Sequence, residues 1–199
     1  IRQQRKQLRF KGRKTKGWIP FKFTTTKLKG SEIVYKGHRF QFWKSRDILG
    51  DLKTGCFVQD SIGRWYICIT IEAQKISAIK PKKEVGIDLG LKTFATCSDG
   101  IEYDLKELES IPKKVAKEQR ARNFERAKKL NWYLANKRKD KLYNFANDLV
   151  RRNGLIAIGS VNGFTSGKMA KSRYFNPWSG FKLILKNKCF EFDRKYLEV

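Results

Sequence analysis

The stretch that most constrains the fold is residues 84–96, with the sequence EVGIDLGLKTFAT. It predicts a buried strand, a sharp glycine turn and a second strand that returns beside the first. Asp88 is unexpected there, because its hydrophobic neighbours favour the interior and a buried carboxylate is costly unless a cation compensates its charge. Gly86 and Gly90 remove side chains on either side, which is typical of a backbone that another group approaches closely. We therefore expect Asp88 to hold a divalent metal ion against a phosphate; the alternative is a strand-edge aspartate that faces solvent.

Net charge is the strongest global constraint on function. The 199 residues include 45 Lys and Arg against 19 Asp and Glu, which gives a formal net charge of +26. Both parts of the chain are basic. Residues 1–80 contain 19 Lys and Arg against 5 Asp and Glu, and residues 81–199 contain 26 against 14. Such a charge is typically neutralised by a polyanion, most often nucleic acid. No run approaches the ~20 apolar residues of a membrane-spanning helix and no secretory signal is visible, so a membrane role is disfavoured.

The cysteines and the single histidine predict no metal site. Cys56, Cys68, Cys97 and Cys189 form no C-x-x-C pair and lie in apolar or strand-like contexts. They are predicted to be buried, reduced thiols, which fits a cytoplasmic compartment. His38 lies in a predicted hairpin turn and cannot form a histidine cluster alone.

Residues 1–80 predict a basic arm followed by a small antiparallel β-barrel or sheet. The arm, residues 1–16, is nearly all Arg, Lys and Gln, and we expect phosphates to order it. Short aromatic and β-branched runs then predict hairpins around residues 36–38 and 60–63. Most of the rings must form the core, but exposed rings interleaved with basic residues can stack bases and neutralise phosphates, as in oligonucleotide-binding barrels.

The candidate nucleic-acid-binding residues are basic or aromatic, and they lie in the arm, the β-rich segment, the helical stretch and a basic loop. They are Arg5, Lys6, Arg9, Lys11, Arg13, Lys14, Lys16, Trp18, Lys44, Arg46, Arg64, Trp65, Lys137, Arg138, Lys168, Lys171 and Arg173.

Residues 81–199 predict an α/β domain. Three strands joined by tight turns form an antiparallel meander, and residues 112–152 predict a basic helical hairpin with a break near Leu130. A fully apolar central strand at 155–158, a helix at 178–190 and a last strand follow. This order, with a carboxylate in the first strand, is that of the ribonuclease H architecture, whose nucleases use several carboxylates to hold two metal ions at a phosphodiester.

The pentapeptide Gly-Ile-Asp-Leu-Gly at residues 86–90 has a second interpretation. It also opens the phosphate-binding hairpin of actin-like ATPases and sugar kinases. Those chains are rarely this basic, and they need a later glycine-rich phosphate loop that this sequence lacks, so the nuclease interpretation is preferred.

Several segments together resemble the TnpB family, which comprises transposon-encoded RNA-guided DNA endonucleases related to type V CRISPR effectors. Residues 86–96, followed by Ser-Asp-Gly at 98–100, resemble the family's first RuvC motif. The other segments resemble the β-rich wedge or later parts of the nuclease domain, in the expected order: residues 17–21, 63–66, 135–140, 149–158, 169–172 and 178–181. The likeness spans nearly the whole chain.

This resemblance implies that residues 1–80 belong to a wedge domain that binds guide RNA and target DNA. It implies that residues 81–199 are an incomplete RuvC-like nuclease domain, with Asp88 as the first catalytic carboxylate and a ligand in a two-metal Mg²⁺ centre. An opening wedge segment, a zinc ribbon that binds Zn²⁺ beyond Val199, and a third RuvC motif with its aspartate are expected outside the chain. The expected parent is a prokaryotic, nucleoid-associated cytoplasmic protein encoded by a transposable element, and this fragment is not expected to cut DNA.

The second carboxylate departs from the family pattern. Many family members have Glu where this chain has Gly159, followed by Ser160. Others supply a Glu from near the strand after the last helix, which makes Glu198 the candidate and Glu191 a weaker one; a donor beyond Val199 is the remaining alternative. Three functions stay open: an RNA-guided, metal-dependent DNA endonuclease, an RNA-guided DNA-binding protein without nuclease activity, and a decayed transposon product.

Overall fold

The computed structural model describes residues 17–72, 81–160 and 177–199. The chain divides into two compact units, Ile1–Gln74 and Lys75–Val199. The predicted basic arm and three candidate nucleic-acid-binding residues in the predicted basic loop (Lys168, Lys171 and Arg173) lie outside the described residues.

The first unit contains two three-stranded antiparallel sheets, with strand orders β1-β5-β6 and β2-β3-β4. The predicted hairpins are confirmed, but these described strands form no closed barrel, because each sheet keeps two edge strands. The strands are β1 (Trp18–Lys22), β2 (Lys27–Lys29), β3 (Glu32–Tyr35), β4 (His38–Gln41), β5 (Asp51–Gln59) and β6 (Trp65–Glu72).

The core of the first unit is small and aromatic. Phe21, Ile33 and Phe57 are its buried residues, one from each of β1, β3 and β5. The ring centroids of Phe21 and Phe57 are 5.1 Å apart. Strand alternation turns the other side chains of β1, β5 and β6 outward, so this face of the sheet is exposed.

The second unit is built on a five-stranded mixed sheet with the order β11-β10-β7-β8-β9. The predicted meander is confirmed, since β7 pairs with β8 and β8 with β9, both antiparallel. On its other side β7 is parallel to β10, which is parallel to β11. The strands are β7 (Glu84–Leu89), β8 (Ala95–Cys97), β9 (Glu102–Tyr103), β10 (Leu155–Ile158) and β11 (Lys195–Glu198). The second unit is therefore an α/β structure.

Three α-helices connect these strands in the described residues: α1 (Ser110–Arg120), α2 (Phe124–Arg152) and α3 (Trp178–Glu191). A 3₁₀ turn, Lys106–Leu108, precedes α1. None of the helices in the described part of the chain is both long enough and apolar enough to cross a membrane.

The predicted helical hairpin forms, but its predicted break near Leu130 is wrong. The chain turns at residues 121–123, where Arg122 adopts a left-handed conformation with φ of 56°. Leu130 lies inside α2 and packs against the core, between the buried residues Ala127 and Leu134. This spacing of three and four residues continues the apolar face of the helix, so nothing interrupts α2 there.

Gly154 fixes how α2 leads into the sheet. Its N–H donates to the Lys83 carbonyl at 2.8 Å. A Cβ at this position would lie 2.1 Å from the carbonyl oxygen of Pro81, which no real side chain tolerates. Only glycine lets the two segments approach this closely, and their approach sets β10 beside β7 with Ile158 opposite Ile87.

Phe181 of α3 joins the helices to the sheet. Its side chain is fully buried. Its ring stacks on Phe145 of α2, with centroids 4.7 Å apart and planes 7° apart, and meets the edge of Phe94 at 5.5 Å. Stacked and edge-on pairs of this kind add to the free energy of burial.

Replacing Phe181 by alanine is expected to destabilise the second unit by about 3–5 kcal/mol, because the cavity would lie between three packed elements. Urea unfolding followed by circular dichroism would measure the loss. Leu183→Ala is the matched control, since Leu183 belongs to the same helix but is 61% exposed. Equal losses in both variants would contradict the packing described for Phe181.

Candidate active site and nucleic-acid interface

Asp88 projects from β7 into solvent. Alternation along β7 directs Val85, Ile87 and Leu89 into the core, where they are 2–6% exposed, and directs Asp88 to the opposite face. The expectation of a costly buried carboxylate is therefore wrong. Within residues 17–72, 81–160 and 177–199, the Asp88 carboxylate makes no hydrogen bond or ion pair.

The surroundings of Asp88 are small and open. Exposed Thr96 of β8 lies opposite it. On the other side, Gly159 continues β10, and its N–H donates to the Ile87 carbonyl at 3.0 Å. That carbonyl is also the nearest atom to a Cβ built at Gly159, at an ordinary contact distance of 3.7 Å. A side chain at position 159 would therefore fit beside Asp88 on the same face.

The two glycines around Asp88 have different roles. A Cβ at Gly90 would lie 2.7 Å from the Thr93 carbonyl, so this glycine serves the tight turn between β7 and β8. At Gly86 the nearest atoms would belong to Ser98, at 3.9 Å. The Gly86 N–H donates to Ser98 Oγ at 3.0 Å, so Ser98 is the group that lies against Gly86.

Glu198 lies on the other face of the sheet from Asp88. Ile158 is in register with both Ile87 and Glu198, so Glu198 projects to the same side as Ile87. It is two strands from β7, roughly 10 Å at the usual strand spacing of about 4.8 Å. The structure therefore does not bring the two predicted carboxylates together.

Both candidate glutamates already have cationic partners. Glu198 accepts a hydrogen bond from Lys182 Nζ at 2.7 Å, and this bond lowers the pKa of the Glu198 carboxyl. Glu191, the weaker candidate, ends α3 and accepts from Lys188 Nζ at 2.7 Å. Each of the two glutamates therefore has a lysine that balances its charge and needs no metal ion for this.

The described residues do not fit a two-metal centre. Such a centre needs several carboxylates around ions a few ångströms apart. In the described part of the chain, no group of three or more His, Cys, Asp or Glu side chains is placed to hold an ion. Glu84 of β7 and Glu102 of β9, which is in register with Asp88 through Thr96, share one face of the sheet with Asp88, but the three carboxylates form no such group.

The predicted burial of the cysteines is confirmed for Cys97 and Cys189. Desolvation raises the pKa of each of these two thiols to about 11. The prediction is wrong for Cys56, which is half-buried, and for Cys68, which is exposed. Both lie on the outward face of the first unit, where alternation takes them away from the aromatic core.

Most of the described nucleic-acid-binding candidates are at the surface. Trp18 and Trp65 are 54% and 53% exposed, and Arg138 is half-buried. Lys44 donates to Asp47 at 2.7 Å, so its charge is partly compensated. The remaining candidates are exposed: Arg46, Arg64 and Lys137.

Tyr66 is a surface aromatic residue missing from the predicted set. Trp18, Val58 and Tyr66 are in register across β1, β5 and β6, and both rings lie on the outward face of the sheet. Tyr66 is 44% exposed. The sequence carried a signal for it, since alternation along β6 places it with Cys68 and Thr70 and away from the inward-facing isoleucines.

The hairpin of α1 and α2 is the most basic described element. Residues 110–152 contain 14 Lys and Arg against 4 Asp and Glu, so at least ten cations cannot be paired one-to-one within it. Lys137 and Lys139 lie over the exposed rings of Tyr133 and Tyr143, each with Nζ 5.8 Å from the centroid. Each pair combines a ring on which a base can stack with a cation that can bind a phosphate.

Arg152 of the hairpin has a structural role. It donates to Asp148 at 2.6 Å and to Asp99 at 3.3 Å, which ties the end of α2 to the loop after β8. Tyr103 also donates to Asp148, and burial together with this bond raises the pKa of Tyr103. We therefore do not count Arg152 among the nucleic-acid-binding residues.

Comparison with known proteins places the chain in a family of transposon proteins. Residues 66–173 match the OrfB_IS605 family, described as a probable transposase. The match covers more than half of the chain, so the chain belongs to this family and the TnpB resemblance is confirmed.

One relative adds a more particular likeness. The chain is 26% identical over 151 residues to InsQ of Escherichia coli (strain K12), which is named as a candidate RNA-guided DNA endonuclease. The alignment covers 69% of this chain and 37% of InsQ. The chain thus spans little more than a third of the length of this curated relative.

Proposed function

We propose that this chain is part of an RNA-guided DNA endonuclease of the TnpB type, with Asp88 as one carboxylate of its nuclease centre. The observation that carries the proposal is the position of Asp88, exposed on a central strand with room beside it, in a chain of this family. The name of InsQ supports the same class of activity.

The sheet order supports a RuvC-like, ribonuclease H type of nuclease domain. The first three strands form an antiparallel meander, and the last two add in parallel on the other side of β7. This arrangement places the carboxylate-bearing strand at the centre, flanked by β8 and β10. Residues of either neighbouring strand, or of a segment covering the open face, can therefore reach Asp88.

Mg²⁺ is the proposed ion, since carboxylate oxygens are its usual protein ligands. Asp88 is the only ligand that we assign within the described residues. The other carboxylates, and the zinc ribbon with its Zn²⁺, are proposed to lie outside them.

Guide RNA and target DNA are the proposed partners. In the first unit, the outward face with Trp18 and Tyr66 offers rings on which bases can stack. In the second unit, the excess positive charge of α1 and α2 offers contacts to phosphates. A protein that binds DNA in this way is proposed to associate with the nucleoid.

A second candidate function is RNA-guided DNA binding without cleavage. It is favoured by Gly159, because the position beside Asp88 on the same face carries no carboxylate. A decayed transposon product that has lost its nuclease centre would also lack a carboxylate at this position.

Guided cleavage by the complete protein tests the proposal. RNA that co-purifies with it would be sequenced, and double-stranded DNA matching that RNA would be offered with Mg²⁺. Cutting of matched but not mismatched DNA is the expected result. Binding of matched DNA without cutting would favour the second candidate, and the absence of matched binding would contradict both.

A further inference from the structure

Cys56 and Cys68 lie directly opposite each other on neighbouring strands. They are Cα partners in the antiparallel pair of β5 and β6. In β5, Gln59 donates to Gly17 at 2.9 Å, and Lys53 accepts from Phe23 at 3.4 Å. Because these odd-numbered residues of β5 bond to the β1 side, the even-numbered ones, including Cys56, bond to β6. Directly opposed residues that exchange hydrogen bonds have Cα atoms about 5.5 Å apart.

This separation suits a disulfide, which needs Cα atoms about 4.4–6.8 Å apart. The two side chains also share a face, since residues paired in register project to the same side of a sheet. The Cβ atoms of a hydrogen-bonded pair lie about 5.5 Å apart, whereas a disulfide needs about 3.5–4.5 Å. The two strands must therefore approach each other by about 1 Å, which β6 can do because it is an edge strand of its sheet.

Solvent exposure distinguishes Cys56 and Cys68 from the other two cysteines. Cys68 is exposed and Cys56 half-buried on the outward face, next to the row formed by Trp18, Val58 and Tyr66. Cys97 and Cys189 are 3% and 1% exposed. A reagent in solution therefore reaches the pair on β5 and β6 and not the two buried thiols.

We propose that Cys56 and Cys68 form a dithiol modification site, which a peroxide converts to a cross-strand disulfide. One thiolate attacks a peroxide oxygen, which gives a sulfenic acid and releases hydroxide when hydrogen peroxide is the oxidant. The second thiolate then displaces hydroxide from the sulfenic sulfur, and the disulfide forms. In total, two thiols lose two protons and two electrons, and one hydrogen peroxide becomes two waters. The site does not depend on the proposed nuclease function.

Oxidation of the folded 199-residue chain with hydrogen peroxide tests this proposal. We expect the loss of two of its four thiols, a mass decrease of two hydrogens, and a peptide that links Cys56 to Cys68 after digestion. A thiol reductant should reverse all three changes. Disulfide-linked dimers, or irreversible oxidation without the linked peptide, would overturn the proposal.

Single-residue variants show which cysteines form the disulfide. Cys56→Ser and Cys68→Ser should each abolish the intrachain disulfide, whereas Cys97→Ser should form it as the wild type does. A slow reaction with peroxide would hide the pair, so phenylarsine oxide provides a second measurement. One trivalent arsenic atom binds two adjacent thiols at once. One arsenical per wild-type chain and none in either single variant is expected. Equal arsenical binding by Cys56→Ser and the wild type would contradict the pairing of these two thiols.

Discussion

The complete protein carrying Asp88→Ala is expected to lose Mg²⁺-dependent cleavage of guide-matched DNA and to keep its RNA. Asp88 lies on the open face of the central strand next to position 159, four residues from Glu84, the other carboxylate on that face of β7. It is exposed and its carboxylate makes no hydrogen bond or ion pair within the described residues, so its removal leaves the fold intact. Cleavage should fall below detection while RNA co-purification and the unfolding midpoint stay at wild-type values.

Two control variants make the Asp88 result specific. Thr96→Ala removes the exposed side chain opposite Asp88 in β8 and should keep cleavage. Glu198→Ala should also keep it, because Glu198 lies on the opposite face and is paired with Lys182. Loss of cleavage in Glu198→Ala would show that our geometric separation of these carboxylates is wrong. Wild-type cleavage by Asp88→Ala would remove Asp88 from the active site.

Gly159→Glu separates the two candidate functions. The variant adds a carboxylate beside Asp88 where a Cβ has ordinary contact distances. If the wild-type centre is incomplete, the variant should bind Mn²⁺ more tightly than the wild type by electron paramagnetic resonance titration. Asp88→Ala in the Gly159→Glu background should abolish the gain. Equal Mn²⁺ affinity in all three proteins would show that position 159 does not limit the centre.

The affinity of the chain for a single-stranded oligonucleotide is expected to fall steeply with salt. Each neutralised phosphate adds a slope of about −0.7 in log K against log salt for single strands. A protein that makes about 6–10 phosphate contacts on duplex DNA loses about 10³–10⁵ in affinity between roughly 50 and 200 mM salt. The net charge of +26 and the basic hairpin of α1 and α2 supply cations for a comparable loss. Fluorescence anisotropy across that salt range would measure it.

Charge-neutralising variants test the assignment to the hairpin. Lys137→Gln and Lys139→Gln should each make the salt slope shallower by about 0.7, because each removes one exposed cation. Lys188→Gln is the matched control, since Lys188 is already paired with Glu191. Salt-independent binding would contradict an electrostatic interface, and an unchanged slope in both hairpin variants would move the interface elsewhere.

Local patterns predicted most of the individual elements. The alternation of β6, the glycine turn after β7, the apolar run of β10 and the spacing of Phe181, Leu185 and Cys189 along α3 each depend on neighbours in the sequence. The break in the helical hairpin was misplaced, because Leu130 continues an apolar face that only its packing partners reveal. The burial of Cys56 and Cys68 was misjudged for a similar reason, since a strand pattern does not say which face the core takes.

Sequence alone determined the charge, the order of strands and helices, the family and the position of Asp88 in the first strand of the second unit, because each is a property of residue type and sequence spacing. Tertiary structure alone decided that Asp88 faces solvent, that Glu198 lies on the other face, and that position 159 is the one beside Asp88. It also placed Cys56 opposite Cys68. These relations depend on register between strands, and a shift of one residue would reverse each of them.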